Sequence, residues 1–377
     1  MADSNASEVV KKITVLVSFS GDGGVEVVTA NLVEGWINLG VEVELLLIKN
    51  KSRHLSRLPT SVKQTKLKAS SGWLALPEIV KHLKEQPPEV FFVIKDRAVQ
   101  IAALAKVLSG FKGLMIGQIH NNMEVGLRNR NALGRSTRHM MMRWAYKKFD
   151  KMTAVSQDAA DSIQRITGIS KHHFVAMANP ILTDRLFLLA ESEATHNWLT
   201  HKDKPVLVAV GRLSPQKNFS RLINAFAKVK EQLDCRLIIF GEGKQKQSLQ
   251  QLTETLRVTD AVDLAGFTDN PYAELKEADL FVLSSDWEGS PTVLSEALAL
   301  GVNVVSTECG DVSITLQNGV IGSVVQPNNL DDFSQAILSS LRQPKDEEVL
   351  KQAVVKFQQN VSAKSYLDLI AETKNSV

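Results

Sequence analysis

Short apolar runs alternate with longer amphipathic stretches along the whole chain. The apolar runs are continuous, so each one predicts a strand that is buried on both faces of a sheet. Helix-like stretches between such strands are typical of β-α-β units, which build parallel sheets. The predicted strands are 13–18, 43–48, 90–94, 114–119 and 152–155 in the first half, and 206–210, 236–240, 262–266, 280–284, 302–306 and 321–325 in the second. The predicted helices of the first half are 25–39, 74–85, 98–108, 137–148 and 157–166.

The pattern occurs twice, which predicts two Rossmann-like α/β domains, each with a doubly wound parallel sheet. A chain of 377 residues is long enough for two hydrophobic cores. Residues 183–204 contain no strand-like run and end in Lys-Asp-Lys before Pro205, so we interpret them as the linker zone. We therefore expect an N-terminal domain over residues 1–182 and a C-terminal domain over residues 183–360.

Composition narrows the class of protein. Hydrophobic residues make up 44% and charged residues 23% of the chain, which is ordinary for a globular protein. Cys235 and Cys309 are too few for a disulfide framework, so we expect reduced thiols. The chain begins with a polar segment, and no apolar run approaches the ~20 residues of a membrane span. We therefore expect a cytoplasmic protein.

Positive charge is concentrated in two windows of the first half. Residues 49–68 and residues 125–149 each contain seven basic residues and no acidic residue. These windows favour an anionic partner for the first half. Nucleic acid is disfavoured as that partner, because 44 basic residues face 41 acidic ones overall and aromatic residues do not interleave with the cations.

Nearly every glycine-rich or charged loop follows a predicted strand, which is where open parallel sheets bind ligands. Gly21-Asp22-Gly23-Gly24 lies after the first strand and before a helix, so its backbone can approach an anion at the helix N-terminus. A tight turn explains the same residues. The spacing matches neither a dinucleotide fingerprint nor a Walker loop.

Two cations and two carboxylates follow strands of the second half. Arg212 and Lys217 flank a short loop and suit a diphosphate, although a solvated pair is the plainer interpretation. Glu288 precedes a helix that we expect to begin near Thr292, and Glu296 lies about one turn inside it. Both carboxylates can accept hydrogen bonds from hydroxyls of one ligand, or either can act as a helix cap.

The order and spacing of several blocks resemble the retaining family-4 glycosyltransferases, in which two Rossmann-like domains face each other across a cleft in the GT-B architecture. The blocks of the second half are GRLSPQKN (211–218), LINAFAKV (222–229), FGEGK (240–244), GFTDN (266–270), ADLFVLSS (278–285) and EGSPTVLSEALALG (288–301). The first half is compatible through SGDGGVE (20–26), His120, AVSQ (154–157) and Asn179-Pro180.

The resemblance implies roles for individual side chains. Arg212 and Lys217 match the pair that holds the nucleotide diphosphate, and Glu296 matches the carboxylate that binds the ribose hydroxyls. Glu288 and His120 match residues that contact the transferred sugar. Glu288, His120, Lys217 and Arg212 are thereby the predicted catalytic residues. A departure lies at Cys309–Ile314, where the family often has Gly-Gly-x-x-Glu and this chain lacks the acid.

Other matches contact the donor mainly through their backbone or line its pocket. The glycines of the first half approach the diphosphate, the loop before Glu296 cradles sugar and phosphate, and two loops line the nucleotide pocket and read its base. These residues are Gly23, Gly24, Ser290, Pro291, Thr292, Val293, Gly241, Glu242, Phe267 and Thr268.

The resemblance implies transfer of a hexose or N-acetylhexosamine from a nucleotide-diphosphate sugar, UDP being the favoured nucleotide, with the anomeric configuration retained. No metal or other cofactor is implied, since cations and helix N-termini replace the metal's charge. The C-terminal domain would bind the donor, and helix 361–377 would return to the N-terminal domain. A sugar-nucleotide epimerase and a non-catalytic sugar or protein binder remain alternatives.

The implied acceptor is a glycan, such as a lipid-linked oligosaccharide, lipopolysaccharide or cell-surface polysaccharide. The two basic windows would then meet an anionic membrane surface, making the protein peripheral at its inner face. Met141, Trp144 and Ala145 share one side of the predicted helix in the second window. That side is either a core stripe or an apolar face that enters the membrane interface.

Overall fold

The computed structural model describes residues 10–21, 23–69, 72–120, 132–344 and 346–376. They divide into two compact units. The first unit contains the chain up to Pro180 together with the residues from Gln358 onward, and the second contains Ile181–Phe357. The first and last residues of the second unit are adjacent, because the backbone N–H groups of Ile181 and Leu182 donate to the carbonyl oxygen of Phe357 at 2.9 and 3.0 Å.

The elements of the described residues follow in chain order. The strands are β1 (Lys12–Phe19), β2 (Glu42–Asn50), β3 (Lys63–Lys66), β4 (Val90–Ile94), β5 (Leu114–Ile119), β6 (Lys151–Ala154), β7 (Phe174–Ala176), β8 (Val206–Val210), β9 (Arg236–Phe240), β10 (Val262–Gly266), β11 (Leu280–Leu283), β12 (Asn303–Thr307) and β13 (Ser323–Val325). The α-helices are α1 (Gly24–Asn38), α2 (Leu76–Glu85), α3 (Asp96–Ser109), α4 (Ala132–Tyr146), α5 (Gln157–Thr167), α6 (Asp184–Ala190), α7 (Asn197–Thr200), α8 (Phe219–Lys230), α9 (Lys246–Thr255), α10 (Pro271–Lys276), α11 (Thr292–Ala299), α12 (Val312–Thr315), α13 (Leu330–Arg342), α14 (Glu347–Ala353) and α15 (Gln359–Lys374). Short 3₁₀ helices cover Arg53–Arg57, Trp73–Ala75, Lys171–His173, Gln317–Gly319 and Val355–Phe357.

Each unit is built on one parallel sheet. The described strands of the first unit have the order β3-β2-β1-β4-β5-β6-β7, and those of the second have the order β10-β9-β8-β11-β12-β13. Central strands are buried on both faces, as Val15 and Leu16 are 0% exposed. The expected fold class is therefore confirmed, and each of the eleven predicted strands is present.

Two edge strands were not predicted. β3 has the sequence KQTK with exposed lysines, and β7 is only three residues long. Neither contains the apolar run from which a buried strand is recognised, because an edge strand has solvent on one side and often carries charge.

The last helix, α15, lies in the first unit against α1. Tyr366 is fully buried, and its hydroxyl accepts a hydrogen bond of 2.7 Å from the side-chain amide of Gln118 in β5. The indole N–H of Trp36 in α1 donates to the carbonyl oxygen of Ala363 at 3.2 Å. The aromatic rings of Trp36 and Tyr366 also pack edge to face, with centroids 6.3 Å apart.

The interpretation of residues 183–204 as a linker is wrong. They form α6 and α7, and the buried carboxylate of Glu274 in α10 accepts hydrogen bonds from the backbone N–H and the hydroxyl of Thr195 at 2.9 and 2.6 Å. Leu186 and Leu199 are 1% and 3% exposed. The segment is polar because its helices are short and lie on the surface of the second unit.

Candidate functional site

Loops that follow β8 and β11 meet near the middle of the second sheet. β8 and β11 are neighbours in this sheet. β9 and β10 lie on one side of them, and β12 and β13 lie on the other. Open parallel sheets bind ligands beyond the carboxyl ends of the strands at such a switch point. The loop after β8 carries Arg212 and Lys217, and the loop after β11 carries Glu288.

Lys217 and Glu288 form an ion pair at this switch point. The Nζ atom of Lys217 lies 2.6 Å from Oε1 of Glu288, and both side chains are largely buried. The hydroxyl of Ser285 donates to the same oxygen at 2.8 Å, and the amide of Gln216 donates to Oε2 at 3.2 Å. Both oxygens of Glu288 are therefore held in one orientation by neighbouring donors.

A second layer of polar contacts fixes these loops. The guanidinium of Arg221 donates to the carbonyl oxygen of Ser284 at 2.8 Å and to Oδ1 of Asp286 at 2.5 Å. Asn218 adopts the left-handed backbone conformation with a φ of 44°, caps α8, and donates its amide to Asp286 at 3.1 Å. Sequence reasoning missed Arg221 and Asp286, although Asp286 lies two residues before Glu288. The layer keeps Lys217 beside Glu288.

Glu296 lies on α11, about one turn after the first residue of the helix. The helix begins at Thr292 as expected, with Pro291 as its N-cap, so Ser290, Pro291, Thr292 and Val293 lead into its first turn. Burial raises the pKa of Glu296 to about 7, and the positive charge of Lys217 acts in the opposite direction. Lys217 is therefore close enough to influence Glu296 as well as Glu288.

A cavity of about 340 Å³ opens beside the loop after β8. Its lining contains five predicted residues, Arg212, Gly241, Glu242, Phe267 and Thr268, together with Val210, Gly211, Phe240 and Pro271. Arg212 is exposed and makes no hydrogen bond or ion pair with the described part of the chain. Its guanidinium is thus free to bind an anion beside this cavity.

Gly241 allows the three loops around this cavity to approach one another. Its φ is 146°, and a Cβ atom there would lie 1.8 Å from the carbonyl oxygen of Gly211. Its N–H donates to the carbonyl oxygen of Gly266 at 2.7 Å. No other residue fits this position, so Gly241 shapes the cavity whether or not it also touches a ligand.

The segment that departs from the family pattern supports the loop of Glu288. The hydroxyl of Ser290 donates to Oδ2 of Asp311 at 2.8 Å. Gly310 has a φ of 59°, and a Cβ atom there would lie 2.5 Å from the carbonyl oxygen of Gly289. Burial raises the pKa of Asp311 to about 6. The carboxylate of this segment therefore faces Ser290.

Gly23, Gly24 and His120 lie at the carboxyl edge of the first unit's sheet. Gly23 is the N-cap of α1, Gly24 is its first residue, and His120 follows β5. Within the described residues, Nε2 of His120 is buried without a hydrogen-bond partner. Burial, assisted by the charge of Lys95, lowers the pKa of His120 to about 3, so the imidazole is neutral. Asp22 lies outside the described residues.

Lys95 and Glu26 were not predicted as site residues. The ammonium of Lys95, directly after β4, donates to Oε1 of Glu26 in α1 at 2.6 Å. Glu26 is 6% exposed. Lys95 directly follows an apolar run, which is the feature that identified the other candidate residues. Its pairing with Glu26, however, depends on strand order, which the sequence does not specify.

The two basic windows differ in how their side chains are used. All seven basic residues of 49–68 are exposed. Residues 125–131 of the second window lie outside the described part of the chain. In the remainder, Arg138 pairs with Asp96 at 2.6 Å, and Arg143 donates to the carbonyl oxygen of Thr167 at 3.1 Å. These two cations therefore stabilise the fold.

Helix α4 presents apolar side chains to solvent. Met140, Met141 and Trp144 are 69%, 44% and 43% exposed, and Nζ of Lys148 lies 5.8 Å from the centroid of the Trp144 ring. The buried face contains Met142, Ala145 and Tyr146. The interpretation of Met141 and Trp144 as part of a core stripe is therefore wrong, whereas Ala145 is buried. The core stripe is rotated by one position from that expectation.

The described residues contain neither a membrane-spanning helix nor a cluster of metal-binding side chains. No helix there is long and apolar enough to cross a bilayer. No group of three or more His, Cys, Asp or Glu side chains there is arranged to hold a metal ion. Metal independence stays a prediction that rests on the cations of the site.

Two family models match the chain in succession. The model described as Glycosyltransferase Family 4 matches residues 22–185, and the model described as Glycosyl transferases group 1 matches residues 191–357. They meet close to the boundary between the two units.

Individual relatives agree with these models. The chain is 33% identical over 169 residues to an uncharacterized glycosyltransferase, MJ1059, of Methanocaldococcus jannaschii, a match that covers 44% of this chain and only 42% of that protein. It is 26% identical over 349 residues to N-acetylgalactosamine-N,N'-diacetylbacillosaminyl-diphospho-undecaprenol 4-alpha-N-acetylgalactosaminyltransferase of Campylobacter jejuni, covering 89% of this chain and 91% of the relative.

A solved structure shares the fold over nearly the whole length. The crystal structure of Anabaena HepE in complex with UDP superposes with a TM-score of 0.77 at 18% identity, covering 97% of this chain and 100% of HepE. Together with the two matched family models and the cations and carboxylates at the switch point, this shows that the chain belongs to the group 1 glycosyltransferases of family 4, with the GT-B fold.

Proposed function

We propose that this chain transfers a hexose or N-acetylhexosamine from a nucleotide-diphosphate sugar, with UDP as the nucleotide, to a glycan acceptor, with retention of the anomeric configuration. The observation that carries the proposal is the Lys217–Glu288 ion pair, with Glu296 within reach of the same ammonium, next to a cavity whose lining includes an unpaired Arg212. Such a set provides cations for a diphosphate and carboxylates for hydroxyls.

Arg212 and Lys217 neutralise the diphosphate as its bond to the sugar breaks. Arg212 can hold two phosphate oxygens at once, and Lys217 adds a point charge. Together with the N-terminus of α11, they supply the positive charge that a divalent metal supplies elsewhere. We therefore propose transfer without a metal or another cofactor.

The nucleotide occupies the 340 Å³ cavity in this proposal. Glu296 accepts hydrogen bonds from the ribose hydroxyls, and the backbone of Phe267 and Thr268 reads the base. The UDP complex of HepE, which has the same fold, supports the choice of UDP.

Glu288 binds hydroxyls of the transferred sugar. Its carboxylate is already oriented by Lys217, Ser285 and Gln216, and such a fixed hydrogen-bond acceptor suits a hydroxyl ligand better than a nucleophile. Retention would then follow from departure and attack on the same face of the sugar, with the leaving phosphate taking the acceptor's proton. His120, Gly23 and Gly24 keep their expected roles in binding the donor.

The proposed acceptor is a lipid-linked oligosaccharide, lipopolysaccharide or another cell-surface polysaccharide. The Campylobacter relative is named for an acceptor carried on diphospho-undecaprenol. Exposed Met140, Met141 and Trp144 beside Lys147 and Lys148 suit an anionic membrane interface, where apolar side chains enter and cations meet headgroups.

Incubation with a panel of UDP-, GDP- and ADP-sugars tests the proposal. We expect saturable binding and slow hydrolysis with UDP-sugars, transfer when extracted lipid-linked glycans are added, and no loss in a chelator. Proton NMR of the product reports whether the anomeric configuration is retained. Isomerised donor without acceptor would instead indicate an epimerase, and binding without turnover would indicate a non-catalytic binder.

A further inference from the structure

A polar cluster lies at three neighbouring strand ends of the first unit. β1, β4 and β5 are adjacent in the sheet, so the ends that carry Ser18, Lys95 and His120 lie side by side. Helix α1 starts at the same edge, at Gly24. Lys95 and Glu26 belong to this cluster, but the resemblance to known glycosyltransferases implies no role for either of them.

The Lys95–Glu26 pair ties the start of α1 to the sheet. Nζ of Lys95 lies 2.6 Å from Oε1 of Glu26 and 2.7 Å from the carbonyl oxygen of Ser18. The same Oε1 accepts from the backbone N–H and the hydroxyl of Ser20 at 3.3 and 3.4 Å. The other carboxylate oxygen of Glu26, Oε2, lies close to Gly23, since a Cβ atom there would be 3.3 Å from it. Glu26 therefore contacts both ends of the turn between β1 and α1.

Lys95 is held in a strained backbone conformation. Its φ is 82° and its ψ is 138°, a region that is normally left to glycine. Its N–H donates to the carbonyl oxygen of Gln118 at 3.1 Å, and its carbonyl oxygen accepts from Val99 at 3.0 Å. Strain of this kind persists where the surrounding structure enforces it, and it concentrates at functional sites. A lysine therefore occupies a conformation that would cost less with glycine.

We propose that Lys95 is a positioning residue of the ligand site in the first unit, where it fixes, through Glu26, the turn at the N-terminus of α1 beside His120. The inference rests on the proposed function for the ligand, which is the nucleotide sugar. The ion pair itself is independent of that function.

Lys95 also acts on His120 through its charge. Burial and the ammonium together keep this imidazole neutral, and its Nε2 has no partner within the described residues. Among the described residues of the cluster, the other charged group is the carboxylate of Glu26, which pairs with Lys95. A neutral imidazole forms a hydrogen bond with an uncharged hydroxyl, whereas an imidazolium would attract an anion. The cluster therefore selects a sugar hydroxyl at His120 and leaves anions to the helix N-terminus.

Four variants test this role: Lys95→Met, Glu26→Gln, Lys95→Arg and, as a matched control, Lys12→Met. Lys12 also pairs with a glutamate, Glu42 at 2.8 Å, but both side chains are exposed at the start of β1 and β2. The ring proton of His120 is followed by NMR in the ligand-free protein from about pH 5 to about pH 8, with the signal assigned by His120→Gln. kcat/KM is measured with UDP-sugars.

We expect the His120 signal of the wild-type protein to stay constant over this range. Lys95→Met removes the ammonium and leaves Glu26 charged, so the pKa of His120 should rise. Because burial is the larger cause of its lowering, the signal should move only at the acidic end of the range. In Glu26→Gln the ammonium remains, so the signal should stay constant. Both variants should lose roughly 100-fold in kcat/KM because the turn is released. Lys95→Arg should recover most of that loss, and Lys12→Met should resemble the wild-type protein in both measurements.

Either of two results would overturn the inference: titration of wild-type His120 near its ordinary range, or wild-type kcat/KM in Lys95→Met. If Lys95→Met does not fold, a wild-type value of kcat/KM in Glu26→Gln would overturn the inference instead. Absence of turnover with every nucleotide sugar would contradict the proposed function. The NMR titration would then still decide the role of Lys95.

Discussion

The ammonium of Lys217 lies 2.6 Å from Oε1 of Glu288, so the cation expected to bind the diphosphate is paired with the carboxylate expected to bind the sugar. In the ligand-free protein each of these two side chains neutralises the charge of the other. Donor binding would exchange this one pair for two contacts, one from Lys217 to phosphate and one from Glu288 to a hydroxyl. The charge of Glu288 therefore competes with the diphosphate for Lys217.

Glu288→Gln should separate the two roles. Because glutamine has no charge, Lys217 is released, and the affinity for free UDP should stay the same or rise a few-fold. Affinity for the intact UDP-sugar and turnover should both fall, since the sugar loses a charged hydrogen-bond acceptor worth about 1.5–3 kcal/mol. Calorimetric titration with UDP and with UDP-sugar measures the difference. A large loss of UDP affinity in this variant would contradict the assignment.

Glu296 should make nucleotide binding depend on pH. Its pKa of about 7 means that the carboxylate, which is the better acceptor for ribose hydroxyls, is lost as pH falls through neutrality. UDP affinity should therefore weaken from about pH 8 to about pH 6 in the wild-type protein. Glu296→Gln should bind UDP weakly throughout, with a flat profile. The same slope in both proteins would exclude Glu296 as its cause.

Glu296 should also lower the thermal stability of the protein above neutral pH. Burial raises the pKa of Glu296 from its ordinary value of 4.5, so the folded state binds this proton more tightly than the unfolded state does. Its contribution to stability therefore decreases as pH rises from about 4.5 to about 7. Glu296→Gln should accordingly melt at a higher temperature than the wild-type protein above neutrality, and the gain should shrink in acid. Thermal melts at both pH values check this expectation.

Much of the fold was predictable because a strand inside a parallel sheet is apolar on both faces. The edge strand β3, with its lysines, lacks that signal. In the candidate site, the spacing of Glu288 and Glu296 placed both near the start of α11. Their shared neighbour Lys217 could not be predicted, because it is 71 residues away from Glu288 along the chain and lies on another loop. Lys95 and Glu26 were missed for the same reason, since their contact follows from strand order.

Gly241→Ala should destabilise the second unit. The added Cβ would lie 1.8 Å from the carbonyl oxygen of Gly211, and the backbone already has a positive φ. We expect a loss of about 3 kcal/mol or more, with loss of UDP binding, because the loops around the cavity must separate. Chemical denaturation measures the loss. Gly319→Ala is the control, because Gly319 lies in the same unit and also has a positive φ, 94°, but nothing lies within 4 Å of a Cβ there.

Membrane binding should depend on the exposed face of α4. Three or four basic residues at about 1 kcal/mol each suffice for reversible binding to an anionic surface. We expect salt-sensitive sedimentation with anionic liposomes and little with neutral ones. The exposed Lys147 and the neighbouring Lys148 are suitable targets, whereas Arg138 and Arg143 make internal contacts.

Replacing Lys147, Lys148, Met140 and Trp144 by serine should therefore reduce sedimentation and leave UDP affinity intact. Lys364→Ser is the control, since Lys364 lies on α15 and pairs with Asp368. A wild-type protein that ignores anionic liposomes at low salt would point to a freely diffusing glycan, protein or small-molecule acceptor.

Calorimetric titration of UDP into the wild-type protein, Lys217→Ala and Lys228→Ala tests the central claim most directly. Lys228 is the matched control, because it lies on α8 of the same unit and pairs with Asp331. The account predicts saturable binding to the wild-type protein, binding weaker by roughly tenfold to a hundredfold in Lys217→Ala, and wild-type affinity in Lys228→Ala. Equal affinity in all three proteins, or no binding of UDP, GDP or ADP to the wild-type protein, would contradict it.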